Sequence, residues 1–331
     1  LSKKIKDTDY LVISARIRAM ETGLLTGERM EQILAARSDE EVVKLLQESG
    51  YPTMSLGSPE AMDAAITAAR EETLQDLGDS APDKQYLDIF KLKYDYHNAK
   101  AILKAKAMNT DPDHMLADLG RVPAAELKEM ITGGDMNQLP PLLATAIAEA
   151  KEVLETTRDP QLGDIVLDRW MYRDEMETAE TTGSEFLRGY VRVFIDAANL
   201  RSLVRTLRMG KNAAFLEGVL VSGGTVGESE ILTVAGNNGG GLAELYASTE
   251  LKDAAQAGAD ALKGGALTKF EKLCDDAVSG YLSGAQMVAF GEAPLIGYLA
   301  ARETEYTNLR ILLMGRAAGL DPETIRARLR T

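Results

Sequence analysis

This chain has little of what most enzymes use for catalysis. Its 331 residues contain one cysteine, Cys274, two histidines, His97 and His114, and one tryptophan. A lone cysteine excludes an intrachain disulfide and any cysteine-cluster metal site. A nucleophilic thiol needs a neighbouring base, and nothing in the sequence puts either histidine beside Cys274. Cys274 therefore reads as a small core residue on a helix. Aromatic residues make up only 5%, so the cores must be built from Leu, Ala, Met and Ile, a mixture suited to helix-on-helix packing. No apolar run approaches the roughly 18 residues that a membrane span requires, and no secretory signal opens the sequence. The expectation is a soluble, cytoplasmic protein that reaches any membrane through other proteins. Motifs for chemistry are also missing: there is no phosphate-binding loop ending in Lys, no metal-spaced histidine pair and no nucleophile elbow. Gly223–Gly227 is glycine-rich but has no strand before it and no Lys after it, and reads as a loop between helices. Asp111-Pro112-Asp113-His114 resembles a calcium loop only superficially, because the downstream acids are misplaced. The reading therefore has no catalytic residue, no cofactor site and no metal site.

A repeat is present instead. Asp95-Tyr96-His97-Asn98-Ala99-Lys100, Asp196-Ala197-Ala198-Asn199-Leu200-Arg201 and Glu305-Tyr306-Thr307-Asn308-Leu309-Arg310 each read acid, two residues, Asn, one residue, base. The asparagines are 101 and 109 residues apart. Weaker matches flank these segments: Gly120-Arg121-Val122 leads to Glu126-Leu127 as Gly224-Thr225-Val226 leads to Glu230-Ile231, and Leu167-Asp168-Arg169 matches Phe270-Glu271-Lys272. Repetition at such a period means one structural unit used several times. The predicted domains are 1–112, 113–213 and 214–331. The N-terminal helix and the Glu28–Ala36 segment have no evident copy; packing beside the last unit would let them complete it and bring the two ends of the chain together.

Helix punctuation runs throughout, and about fifteen helices are expected. Asp9 is placed to cap a helix reaching about Leu25. Ser38-Asp39-Glu40-Glu41 has the form of a capping box, with Gly50 and Pro52 closing the helix it opens. Ser58-Pro59 starts another with proline in the first turn, and the same device returns at Asp111-Pro112, Asp159-Pro160 and Asp321-Pro322. Long repeat helices are predicted from about Pro82 to Met108, Ser184 to Met209 and Ala293 to Arg316. Period-two alternation is rare, and Gly236–Gly241 interrupts helix. The fold class read from these signals is all-α.

Asparagine is a poor interior helix residue because its amide competes for backbone hydrogen bonds. Its return at Asn98, Asn199 and Asn308 asks for a cause, and a buried amide that fixes helix register supplies one. Asp95, Asp196 and Glu305 lie three positions earlier on the same face and are placed to share that network. They also invite helix-face ion pairs with Lys91, Arg192 and Arg302. Charge gives the second signal. The chain carries a net −14, yet residues 86–109, 185–211 and 295–331 are +9 and the remainder is −23. Strong overall acidity argues against nucleic acid or anionic lipid as the main partner, whereas basic surface within an acidic protein suits an acidic protein partner. Helix-end placement accounts for some of these bases, but not for the local deficit of acids.

With these residues in view, Asp88–Lys104 closely resembles the C subunit of the V-type and A-type ATPases and ATP synthases, the counterpart of the eukaryotic d subunit. Ala15–Glu21, Asp196–Arg201, Leu203–Arg205, Phe215–Gly218 and Glu305–Met314 are similar to that family in the same order. The resemblance implies three similar helical domains in a pseudo-threefold, funnel-like arrangement, on the cytoplasmic face of the membrane proteolipid ring (c or K subunits). It implies a socket for the foot of a central shaft made of the D and F subunits, and a mechanical role in rotary ion transport with no catalysis. Lys100, Lys104, Arg201, Arg205 and Arg310 are then candidates to line the socket and meet acidic groups of the shaft. The residues alone leave two alternatives open: a general α-helical repeat scaffold with unrelated partners, and a helical enzyme with a dispersed site.

Overall fold

The computed structural model describes residues 6–330, so the outermost residues of the first and third predicted domains, 1–5 and 331, lie outside it. Among the described residues the chain is all-α, with sixteen α-helices, three short 3-10 turns and no strand. In order these are α1 (Leu11–Glu21), α2 (Gly27–Ala35), α3 (Asp39–Glu48), α4 (Pro59–Ser80), α5 (Gln85–Met108), α6 (Ala124–Gly133), α7 (Pro141–Thr157) and α8 (Pro160–Thr182). They continue as α9 (Glu185–Arg208), α10 (Ala213–Val219), α11 (Glu228–Gly236), α12 (Leu242–Leu245), α13 (Lys252–Leu262), α14 (Leu267–Ser283), α15 (Glu292–Ala317) and α16 (Pro322–Arg326).

Two compact units are present. Unit 1 is discontinuous, joining the described residues up to Lys84 to those from Ala266 onward, and unit 2 is the continuous run Gln85–Gly265. In unit 1, α2, α3 and α4 share a core with α15 and α16, built on Ile33, Val42, Leu46, Ile66, Leu309 and Ile325. Helices from the N-terminal and C-terminal parts of the chain thus share one core, as expected for the uncopied Glu28–Ala36 segment. Unit 2 packs α5 to α8 around Leu92, Tyr96, Leu127, Leu143, Ile147 and Leu167. Four aromatics of unit 2 gather at one place: Phe90, Tyr190 and Phe194 stack in sequence at 6.3 and 5.9 Å, with Tyr172 tilted onto Phe194 at 5.3 Å. Such pairs add roughly 0.5–1.5 kcal/mol each beyond area burial.

Local chemistry accounts for most helix ends. The Ser38 hydroxyl accepts from Glu41 N–H at 3.3 Å to start α3, while the Glu41 carboxylate reaches one residue further back than in a capping box, accepting from Arg37 N–H. Ser58, Asp159 and Asp321 cap α4, α8 and α16, each followed by proline. The three long repeat helices finish identically. Eleven residues after each repeat asparagine comes a left-handed residue, Asn109, Gly210 or Gly319, with φ of 52°, 67° and 67°. Around it the same pair of closing bonds forms, such as Lys211 N–H to Thr206 O and Gly210 N–H to Leu207 O, which satisfies carbonyls that helix geometry leaves open.

The structure departs from the sequence expectations at two helix ends. Asp9 sits in a 3-10 turn, accepting from Lys6 N–H, and α1 stops at Glu21 rather than reaching Leu25. Leu25 has a different task, described below. Asp111-Pro112 opens only the 3-10 turn Asp113–Met115. The equivalent caps Asn212 and Asp321 do start helices, but the first repeat is three residues shorter between helix end and the next anchored residue.

Candidate functional site

Each repeat asparagine is almost completely buried, with Asn98, Asn199 and Asn308 at 0, 1 and 2% exposure. Each amide grips one residue of backbone downstream. Asn98 Nδ2 donates to Ala117 O at 2.8 Å, and Ala117 N–H returns to Asn98 Oδ1 at 2.9 Å. Asn199 does the same with Val221 at 2.8 and 2.9 Å. Asn308 does it with Arg330 at 2.9 and 2.8 Å. A side-chain amide presents a donor and an acceptor side by side, as a peptide group does. The clamp therefore satisfies two backbone groups at once, which no aliphatic residue can do.

The acid three positions earlier supplies a second grip. Asp95 Oδ1 accepts from Val122 N–H at 3.1 Å, and Asp196 accepts from Thr225 and Val226 N–H at 2.9 and 3.0 Å. The two grips are five residues apart along the held segment in both cases. The segment must pass very close to the carboxylate. A Cβ at Gly120 would lie 2.2 Å from Asp95 Oδ1, and one at Gly224 would lie 2.3 Å from Asp196 Oδ1. In the third copy Glu305 Oε2 accepts from Leu25 N–H at 2.7 Å, so its held segment comes from the opposite end of the chain. Gly23-Leu24-Leu25 is thus the third version of Gly120-Arg121-Val122 and Gly224-Thr225-Val226, a match obscured in the sequence by circular order and by Glu in place of Asp.

Burial pushes the carboxyls of Asp95 and Asp196 up from the usual range, against the opposing pull of the groups that bind them. For Asp95 the chief compensation is Arg121, whose Nε lies 2.7 Å from Asp95 Oδ2 while its other nitrogens reach Asp174 at 3.1 and 2.7 Å. Tyr96 also donates to Asp174, at 3.1 Å. Glu305 is met by Tyr51 and Arg302, and the Arg302 guanidinium lies over the Tyr306 ring, 4.7 Å from its centroid. The expected helix-face pair therefore forms only at Arg302–Glu305; Asp95 turns instead to Arg121, and Asp196 to backbone. Glu175 on α8 is the outlier: it is 3% exposed, its Oε2 lacks a hydrogen-bond partner, and burial pushes its carboxyl up to about 8.

The five candidate bases occupy different settings. In unit 2 Lys100 pairs with Asp168, and Lys104 with Asp164 at 2.5 Å, both on α8. Arg201 and Arg205 line a cleft of about 350 Å³ between α8, α9 and α10, which Asp168 and Phe215 also border. In unit 1 Arg310 pairs with Asp63 at 2.8 Å and keeps 63% exposure. Among the described residues no cluster of His, Cys, Asp and Glu is arranged to hold a metal, and no helix is long and apolar enough to cross a membrane.

The pattern of long helices, held segments and grips extends over almost the whole chain, and so does one sequence relationship: the profile of the ATP synthase (C/AC39) subunit family matches residues 13–328. This chain belongs to that family. Its relatives within the family include the C subunit of the V-type sodium ATPase of Enterococcus hirae, 26% identical across 97% of this chain and 98% of that one. The C subunit of the A-type ATP synthase of Methanocaldococcus jannaschii is 25% identical across 97% of this chain and 86% of its own length. That of Haloferax volcanii is 24% identical, with 97% of both chains covered.

Proposed function

We propose that this chain is the non-catalytic rotor subunit of a V/A-type ATPase or ATP synthase, coupling a central shaft of D and F subunits to the membrane proteolipid ring. The observation that carries the reading is the family relationship across residues 13–328. The clamps support it physically. An adapter that passes torque must not yield where long helices meet the segments between them. Each repeat asparagine and its neighbouring acid supply at least three hydrogen bonds to such segments, at two points. In this reading the repeat corresponds to three similar domains, 1–112, 113–213 and 214–331, around a pseudo-threefold axis. The chain lies peripherally on the cytoplasmic face of the membrane.

Arg201 and Arg205 border an open cleft, which gives acidic side chains of the shaft a way to reach them. All five bases already have partners within this chain, so any contribution they make requires exchanging one partner for another. The test is affinity capture of the tagged chain from host membranes in mild detergent, with bound subunits identified by mass. Recovery of the ring and the D–F shaft, the latter weakened by salt, supports the adapter. Arg201→Glu with Arg205→Glu should lower shaft recovery and flatten its salt dependence. Neither ring nor shaft bound to a folded bait would leave a helical scaffold with other partners.

A further inference from the structure

A cavity of about 510 Å³ lies in unit 1 beside the third clamp, between α14, α15 and the turn that carries Leu25. Its α15 wall includes Gly297, Ala300, Ala301 and Thr304, above the clamp residues Glu305 and Asn308. Counted from the clamp asparagine, the same four positions are Leu87, Phe90, Lys91 and Tyr94 in α5, and Arg188, Val191, Arg192 and Ile195 in α9. Facing them from α14 is Ser279, which corresponds to Met176 through the matched Leu167–Arg169 and Phe270–Lys272 segments. In unit 2 Met176 and Ile195 lie together beside the second clamp. A Cβ at Gly223 would stand 3.4 Å from both Met176 Cε and Ile195 Cδ1. Where the second repeat has Met and Ile, the third has Ser and Thr.

The volume falls within the roughly 300–1,000 Å³ of small-molecule sites. The lining says what kind of molecule fits. Leu25, Leu282 and Ala300 are buried apolar walls. The acids and arginines around the cavity already have partners: Glu21 with Arg18, Glu31 with Arg326, Glu305 with Leu25 N–H, and Arg330 with Asp275. Lys272 is the exception. It is half-buried at the cavity, on the same face of α14 as Ser279 two turns later, and among the described residues it has no ion-pair partner. The Ser279 and Thr304 hydroxyls likewise have no hydrogen-bond partner among the described residues.

We propose that this cavity binds a small anionic amphiphile, with its carboxylate or phosphate head at Lys272 and its apolar body against Leu25, Leu282 and Ala300. A charge-assisted bond to a half-buried ammonium favours an anion over a neutral head of equal length. The proposal does not depend on the rotor reading.

The experiment is calorimetric titration of the full chain with decanoate and with decanol. Saturable one-to-one binding of decanoate, roughly tenfold tighter than decanol, is expected. Lys272→Gln should abolish that preference. Ser279→Met with Thr304→Ile, which copies the second repeat, should abolish binding while leaving thermal unfolding unchanged or raised; Ala301→Leu serves the same purpose if the double variant fails to fold. Co-sedimentation with anionic phospholipid vesicles identifies the source. Retention lost on filling the cavity assigns a membrane lipid, and decanoate binding without vesicle retention assigns a free amphiphile. The proposal fails if decanoate does not saturate, if decanol binds equally well, or if filling the cavity leaves binding intact.

Discussion

Replacing Asn199 tests whether the amide clamps hold their segments. In Asn199→Leu the branching and heavy-atom count of the side chain are kept, but Val221 N–H and C=O lose their partners inside a site where the asparagine is 1% exposed. Each orphaned buried group costs about 1–3 kcal/mol, so the variant should lose about 2–6 kcal/mol. Asn199→Asp separates the two bonds. At neutral pH a carboxylate would accept from Val221 N–H but set a second acceptor against Val221 C=O. Burial then raises its folded pKa above the unfolded value of about 3.9. Relative to the parent at each pH, the Asp variant should be least impaired below about pH 4 and lose stability as pH rises towards the folded pKa. Urea unfolding gives the free energies, and hydrogen exchange at 221–226 reports whether the loss is local. A Leu variant within about 0.5 kcal/mol of the parent, or an Asp variant insensitive to pH, would refute the clamp as an energetic device.

Two further outcomes follow from the buried acids. Glu175, pushed up to about 8 from an ordinary 4.5, imposes a penalty absent below pH 4.5 that grows as pH rises towards 8. Glu175→Gln should therefore stabilise unit 2 by on the order of 3 kcal/mol at about pH 7 and by little at about pH 4, in chemical denaturation at both pH values; an equal effect at both would show that the carboxyl is not held protonated. Gly224→Ala forces a methyl to within 2.3 Å of Asp196 Oδ1 and should cost about 1–3 kcal/mol in thermal or urea unfolding.

The helical class, most caps and the three long helices were legible because capping residues, glycine and proline act over one or two turns. The asparagine spacing was equally visible. What each amide holds was not, since the partner is backbone, and any residue can offer an N–H and a C=O. The failure at Asp111-Pro112 has the same root: the cap is present, but the distance to Ala117, fixed by Asn98, leaves no room for a helix. Lys91 is correctly spaced for Asp95, yet the carboxylate points into the core, where Arg121 from the held segment reaches it. Arg302 reaches Glu305 because glutamate is one methylene longer. The bases in residues 86–109 stood out by charge, whereas their partners Asp164 and Asp168 lie on a later helix and carried no signal of pairing.

The grip of Glu305 on Leu25 spans 280 residues of chain, and this bears on how the protein is made. Unit 2 is a continuous stretch able to form as soon as its own last helix has left the ribosome. The early helices α2 to α4 have no such freedom. Their core partners Leu309, Leu312 and Ile325 come late in synthesis, so they must wait with apolar faces uncovered while everything between is translated. Linking the N-terminal part to the C-terminal part and opening the chain between the two units, at Gly264–Gly265, would remove that delay and leave each unit a continuous stretch. Such a permuted gene should refold faster and place a lighter load on chaperones, with the same contacts in the finished molecule.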